Sequence, residues 1–99
     1  MVHGGSRFDS ATLITDEVEQ QIDELAVLAP LHNPVNLAGI RPARAVFPGT
    51  PNIAVFDTAF HRTLLPAAAS YALPAELVRR HQIRRYGFHG ISYQYVSAR

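Results

Sequence analysis

Apolar residues recur at Val18, Ile22, Leu25 and Leu28 with polar residues between them, a spacing that turns one face of a helix toward a core. Thr15 just ahead of that run, and acids at Asp16, Glu17 and Glu19 in its first turn, complete the pattern of a capped amphipathic helix over residues 16–28. A second helix is predicted from Asn33-Pro34, a capping side chain followed by proline at the first helical position, through about Val46. Pro42 lies inside it. A proline there removes the amide that would bond to Ala38, at a cost of up to about 3 kcal/mol, and predicts a kink or an early stop. After the turn PGTP at 48–51, the short apolar, β-branched run NIAVFD at 52–57 reads as a buried parallel strand ending in an acid. Residues 58–72, with Pro66 among them, read as a long loop, and 74–81 as a short helix opened by Pro74. Residues 84–90 form a glycine-punctuated turn, and 91–99 begin a further helix. This order leaves one clear strand with no sequence neighbour to pair with, so the pattern describes an α/β unit whose sheet is incomplete.

Composition narrows the class rather than the function. The 99 residues are 47% apolar and 17% charged, enough apolar matter to offset ordering entropy by burial, so the chain is globular in character. A formal net charge of +1, with the arginines interspersed among apolar residues, gives no field suited to nucleic acid, and nucleic-acid binding is not expected. There is no cysteine, hence no disulfide framework or thiolate metal site, and a reducing cytosol suits the chain. No window approaches the roughly 18 apolar residues of a membrane span. The phosphate-cradling patterns GxGxxG and GxxxxGK[ST] are absent, as are internal repeats.

Three side chains stand where chemistry is plausible. Asp57 ends the apolar strand, the place where open α/β sheets bind ligands; it reads either as a base, an orienting group or a cation-associated acid, or as a cap for the following turn. His89 lies between Phe88 and Gly90, with Gly87 one step earlier, so the backbone can approach a ligand and the imidazole can donate to phosphate oxygens. Its alternative is a structural histidine bonding a loop carbonyl. His32 stands just before a helix N-terminus, a position suited to anions or simply to a neighbour of the cap. His3, His61 and His81 fall at no metal-ligand spacing, and Arg84-Arg85 reads as a solvated pair whose directions diverge.

The blocks APLHNPVNL at 29–37, VFDTAFH at 55–61 and RRYGFHG at 84–90, in this order and spacing, resemble the acetate kinase family, and VHGG at 2–5 is similar to that family's strand-ending His-Gly-Gly. The resemblance covers essentially the whole chain. It implies a partial actin-like, ribonuclease H-like α/β kinase domain, an incomplete sheet with flanking helices. In it, residues 1–72 end the first domain and residues 73–99 begin the second. It implies a cytoplasmic phosphotransferase that moves phosphate between ATP and acetate to give acetyl phosphate, needs Mg²⁺ and is a homodimer when intact. Asp57 and His89 then match the family's catalytic positions, with Asp57 as proton donor/acceptor or orienting, metal-associated carboxylate and His89 as donor to the transferring phosphoryl group. Val2, Leu31, His32 and Phe88 match substrate-binding positions, the three apolar ones forming the pocket for the acetate methyl group. No nucleotide site is recognisable in these residues, so the resemblance implies an internal piece of the enzyme that is inactive by itself. Where the family commonly reads GFHGTSH, this chain reads GFHGISY at 87–93, replacing a hydroxyl and an imidazole by Ile91 and Tyr93. The readings kept beside this one are a propionate or butyrate kinase, and a noncatalytic interaction module with Ile53, Val55 and Phe56 lacking cover.

Overall fold

The apolar stripe of the first helix finds its partner in the second. In the computed structural model, which describes residues 1–99, α1 (Asp16–Glu24) is capped by Thr15, whose Oγ1 accepts from the Val18 amide at 3.3 Å. The predicted single helix over 16–28 tightens after Glu24 into a 3₁₀ turn, Leu25–Val27, and the chain then enters α2 (Asn33–Val46). Ile22, Leu25 and Leu37 are buried between these elements. Over the exposed edge of the same contact, Glu19 accepts from Arg41 Nε at 2.6 Å and from Arg44 Nη1 at 2.7 Å, and Arg44 reaches Asp16 at 2.7 Å. The Arg41 guanidinium beside Glu19, with Arg44 behind it, holds that carboxyl below the usual carboxylate range.

α2 runs on through Pro42 to Val46, so the early stop expected there does not occur. Both Pro42 and Ala38 face solvent, so water can serve the carbonyl that the proline leaves unbonded. Leu37 and the arginine pairs hold the helix on α1 from the other side. Asn33 differs from its expected role too: its side chain does not cap the helix but turns inward, fully buried.

The strand expected over 52–57 is far shorter and runs the other way. β1 (Thr12–Leu13) pairs antiparallel with β2 (Ile53–Ala54), Thr12 opposite Ala54 and Leu13 opposite Ile53. Burial alternates along the segment, with Ala54 and Phe56 inside and Ile53 and Val55 outside, the signature of a strand with one covered face rather than two. Phe56 is therefore not uncovered: its ring stacks on Phe8 at 4.5 Å and 7°. Beyond β2 the backbone pairs with the N-terminal segment, Asp57 N–H to the Met1 carbonyl at 3.0 Å and Thr58 N–H to the Val2 carbonyl at 3.4 Å. Periodicity could not signal these partners, because neither segment is long enough to show alternation. The expected loop over 58–72 holds a 3₁₀ segment, Asp57–Thr63, and a single helical turn, α3 (Pro66–Ala69), before α4 (Ala75–His81) and α5 (Gly90–Ser97).

One buried polar cluster ties the N-terminus to the helices. Asn33 Oδ1 accepts from the His3 amide at 3.2 Å, while its Nδ2 donates to the carbonyls of His3 at 3.1 Å and Ile22 at 3.3 Å. Thr58 Oγ1 accepts from the Gly4 amide at 2.9 Å. His3 Nδ1 accepts from the Gly5 amide at 2.9 Å, and burial pushes the imidazole below its ordinary value of 6.5.

Two predictions follow from this packing. Leu37→Ala should lower the unfolding free energy by about 2–4 kcal/mol in a urea titration, whereas Val46→Ala, at a site 67% exposed, should cost under about 0.5 kcal/mol; similar losses would contradict the assigned core. Because the folded His3 titrates below 6.5, the unfolded chain takes up this proton first as the pH falls. The His3 contribution to stability is therefore full above pH 6.5 and declines between 6.5 and the lowered folded value. Urea midpoints at pH 7.5 and 5.5 should differ less in His3→Asn than in the parent.

Candidate functional site

The turn at 84–90 reaches across to the 3₁₀ segment Asp57–Thr63, and that contact builds the site. Gly90 lies with its backbone directly on the Asp57 carbonyl, where any Cβ would collide with that oxygen and with Phe60. Only glycine permits so close an approach. One residue later, the Ile91 amide in the first turn of α5 donates to Asp57 Oδ1 at 3.4 Å. Asp57 therefore does not cap the turn directly after it but holds the first turn of α5, and Oδ2 is left for other partners. The family's threonine would sit where Ile91 contributes only its amide, a bond indifferent to the side chain.

Between these anchors His89 adopts φ +55° and ψ +30°, the left-handed region, at the N-cap of α5. For a non-glycine residue that conformation costs about 1–2 kcal/mol, so the flanking contacts must impose it. Phe88 is packed beside it: the His3 ring meets its edge at 5.9 Å, and the His32 ring lies over it at 6.4 Å and 29°. His32 occupies the N-cap of α2 without bonding through its side chain, so its imidazole faces outward.

Val2, His32, Asp57, Phe88 and His89 line one open cleft of about 330 Å³. A carboxylate and two imidazoles from three distant parts of the chain share it with two apolar side chains. Leu31 does not line the cleft; its side chain is 81% exposed. Chemically, such a cleft offers a carboxylate oxygen, two imidazole donors or acceptors and an apolar wall, a set suited to a small carboxylic acid or its phosphorylated form. No three His, Asp or Glu side chains gather closely enough to hold a metal ion. A hard cation takes one or two carboxylates and fills its sphere from phosphates and water, so Asp57 fits as a single ligand and no more.

The bond from a histidine to a loop carbonyl, considered above for His89, is made instead by His61: Nε2 stands 2.8 Å from the Phe88 carbonyl oxygen. Only its place four residues after Asp57, on one helical segment, hinted at this. Arg84 and Arg85 diverge as expected, Arg84 over the Tyr86 ring at 5.4 Å and Arg85 over Tyr71 at 5.3 Å. No helix is long and apolar enough to cross a membrane.

The model of the acetokinase family matches residues 1–99. An acetate kinase of Leifsonia xyli subsp. xyli is 62% identical over 97 residues, covering 98% of this chain and 24% of that protein, and one of Desulfitobacterium hafniense is 57% identical over 99 residues, covering 100% and 25%. Among solved structures, a propionate kinase from Francisella tularensis superposes with a TM-score of 0.91 at 48% identity, covering 98% of this chain and 25% of the other. The Porphyromonas gingivalis acetate kinase gives 0.90 at 47% identity, covering 99% and 25%. The chain therefore spans about a quarter of the length of the relatives it matches, and its mixed helices and small sheet are a partial α/β kinase domain. By sequence along its entire length and by its backbone course, this chain belongs to the acetokinase family.

Proposed function

We propose that these residues form the acyl-substrate side of a cytoplasmic, Mg²⁺-dependent, homodimeric kinase that transfers phosphate between ATP and acetate. The observation that carries this reading is the convergence of Asp57, His32 and His89 with Val2 and Phe88 around one cleft. That the relatives include acetate kinases and a propionate kinase supports the substrate class.

In this reading the acetate methyl group rests against Val2 and Phe88, and a carboxylate oxygen attacks the γ-phosphorus of ATP, whose bond to the bridging oxygen breaks as ADP leaves. Negative charge spreads over the equatorial oxygens of the transferring group, so preorganised donors matter more than covalent help. His89 donates to one such oxygen. Asp57, held through Oδ1 by the Ile91 amide, orients its neighbours with Oδ2. His32, at the mouth of the cleft, adds a second donor. Mg²⁺ would offset phosphate charge, with Asp57 as one of its ligands; its other ligands and the adenosine site belong to residues outside these 99. The division of domains at residue 72 forms part of the same reading, in which the contact of α5 with the segment Asp57–Thr63 joins the two. Leu31, turned to solvent here, would complete the apolar pocket only with further protein against it.

Propionate is the second reading, favoured by the 48% identity to a propionate kinase and by the openness of the apolar wall. One methylene changes binding by about 1–3 kcal/mol, so the two acids should differ in kcat/KM by no more than about 10–200-fold.

Two outcomes are expected. The 99-residue chain alone should form no acetyl phosphate from acetate and Mg-ATP, measured against an Asp57→Ala control; turnover above that control would refute the reading. In an intact relative carrying this segment in place of its own, His89→Ala should lower kcat by about 10²–10³-fold with little change in the KM for ATP.

A further inference from the structure

His61 falls at no metal-ligand spacing, yet its ring touches the turn that carries His89. The Phe88 carbonyl oxygen can only accept, so the 2.8 Å contact requires a hydrogen on His61 Nε2. The ring is boxed in on several sides. A Cβ on Gly87, which has φ +82°, would come within 2.7 Å of the imidazole, so the backbone of the turn lies flat against it. Phe60 and Tyr93 meet the ring edge-on at 5.3 and 5.7 Å. Tyr93 is one of the two departures from the family pattern, and it packs where it steadies this imidazole.

His61 follows Asp57 by four residues on the same 3₁₀ segment. His61 holds the residue before His89 by its carbonyl, and Asp57 holds the residue two after it by its amide. With Gly90 pressed on the Asp57 carbonyl, the three contacts leave His89 no freedom but its left-handed backbone. Removing the His61 bond frees one end of this clamp, while the Asp57 end stays fixed.

We propose that His61 is a positioning residue: by donating from Nε2 to the Phe88 carbonyl, it keeps His89 in the left-handed conformation that holds its imidazole on the cleft. The proposal rests on the kinase reading only where it speaks of turnover; the geometric claim stands apart from it.

The test begins with nuclear magnetic resonance on the 99-residue chain. A left-handed residue gives a strong amide-to-Hα Overhauser effect within itself, and His89 should show it in the parent. His61→Phe keeps a ring but loses the donor and should weaken that signal, whereas His61→Gln keeps a donor and should retain it. Should His61→Phe fail to fold, the ring nitrogens of the parent decide: Nε2 must carry a hydrogen that exchanges more slowly than that of exposed His81. An unchanged His89 signal in folded His61→Phe, or a bare Nε2, overturns the proposal. In the intact relative carrying this segment, His61→Phe should lower kcat about 10–100-fold with the KM for ATP within about twofold, and His61→Gln should restore most of the loss. Full turnover in His61→Phe with a displaced His89 would overturn the catalytic part of the proposal. If His89→Ala also turned over normally, the kinase reading would fail while the geometric claim stood.

Discussion

The buried amide of Asn33 is the interaction on which the remainder rests. It joins three pieces of backbone that share no secondary structure: the N-terminal segment at His3, the end of α1 at Ile22 and the start of α2. A polar side chain so fully enclosed is tolerated only because its oxygen and its nitrogen both find backbone partners. Thr58 does the same for Gly4 from the other side. Between them they hold the N-terminal segment beside the stretch that leads from β2 into Asp57, and the carbonyls of Met1 and Val2 then receive the amides of Asp57 and Thr58. The apolar core of Phe8, Ile22, Leu37 and Phe56 adds most of the burial energy, but it is the amide that decides where the N-terminus lies.

From that frame the cleft follows by two further constraints, both steric. Gly90 must approach the Asp57 carbonyl more closely than any side chain would permit, and Gly87 must lie against the His61 ring. These two contacts dock the turn at 84–90 on the 3₁₀ segment and leave His89 between them in a conformation it would not choose alone. Val2 and Phe88 line the same gap because the first is held by the strand-like pairing and the second by the docked turn. The glycines are placed for contact rather than for looseness, so the site is rigid where it would have to be for a reaction that depends on positioning.

The candidate site was legible mainly as a set of blocks resembling a family. Residue types alone left each member with two meanings, and the structure shows why. Asp57 does not cap the turn that follows it; its Oδ1 accepts instead from Ile91 in the distant α5, and the same side chain lines the cleft. The histidine that bonds a loop carbonyl exists, but it is His61 and not His89, whose residue lines the cleft. Leu31 adjoins His32 in sequence yet faces solvent, while His32 lines the cleft; neighbours at a helix start point in different directions.

By itself the sequence determined the local elements: the Thr15 cap, the amphipathic stripe of α1, the start of α2 and the glycine-bearing turn, each of which depends on residues within a few positions of one another. It determined the family as well, through ordered blocks along the whole chain. Tertiary structure alone decided the direction of the strand pairing, the inward turn of Asn33, the survival of α2 through Pro42 and the role of His61. All of these depend on what a side chain or carbonyl meets far along the chain, 11 residues away for Asn33 and Ile22 and 27 for His61 and Phe88, or at the solvent boundary, and no local pattern records that distance.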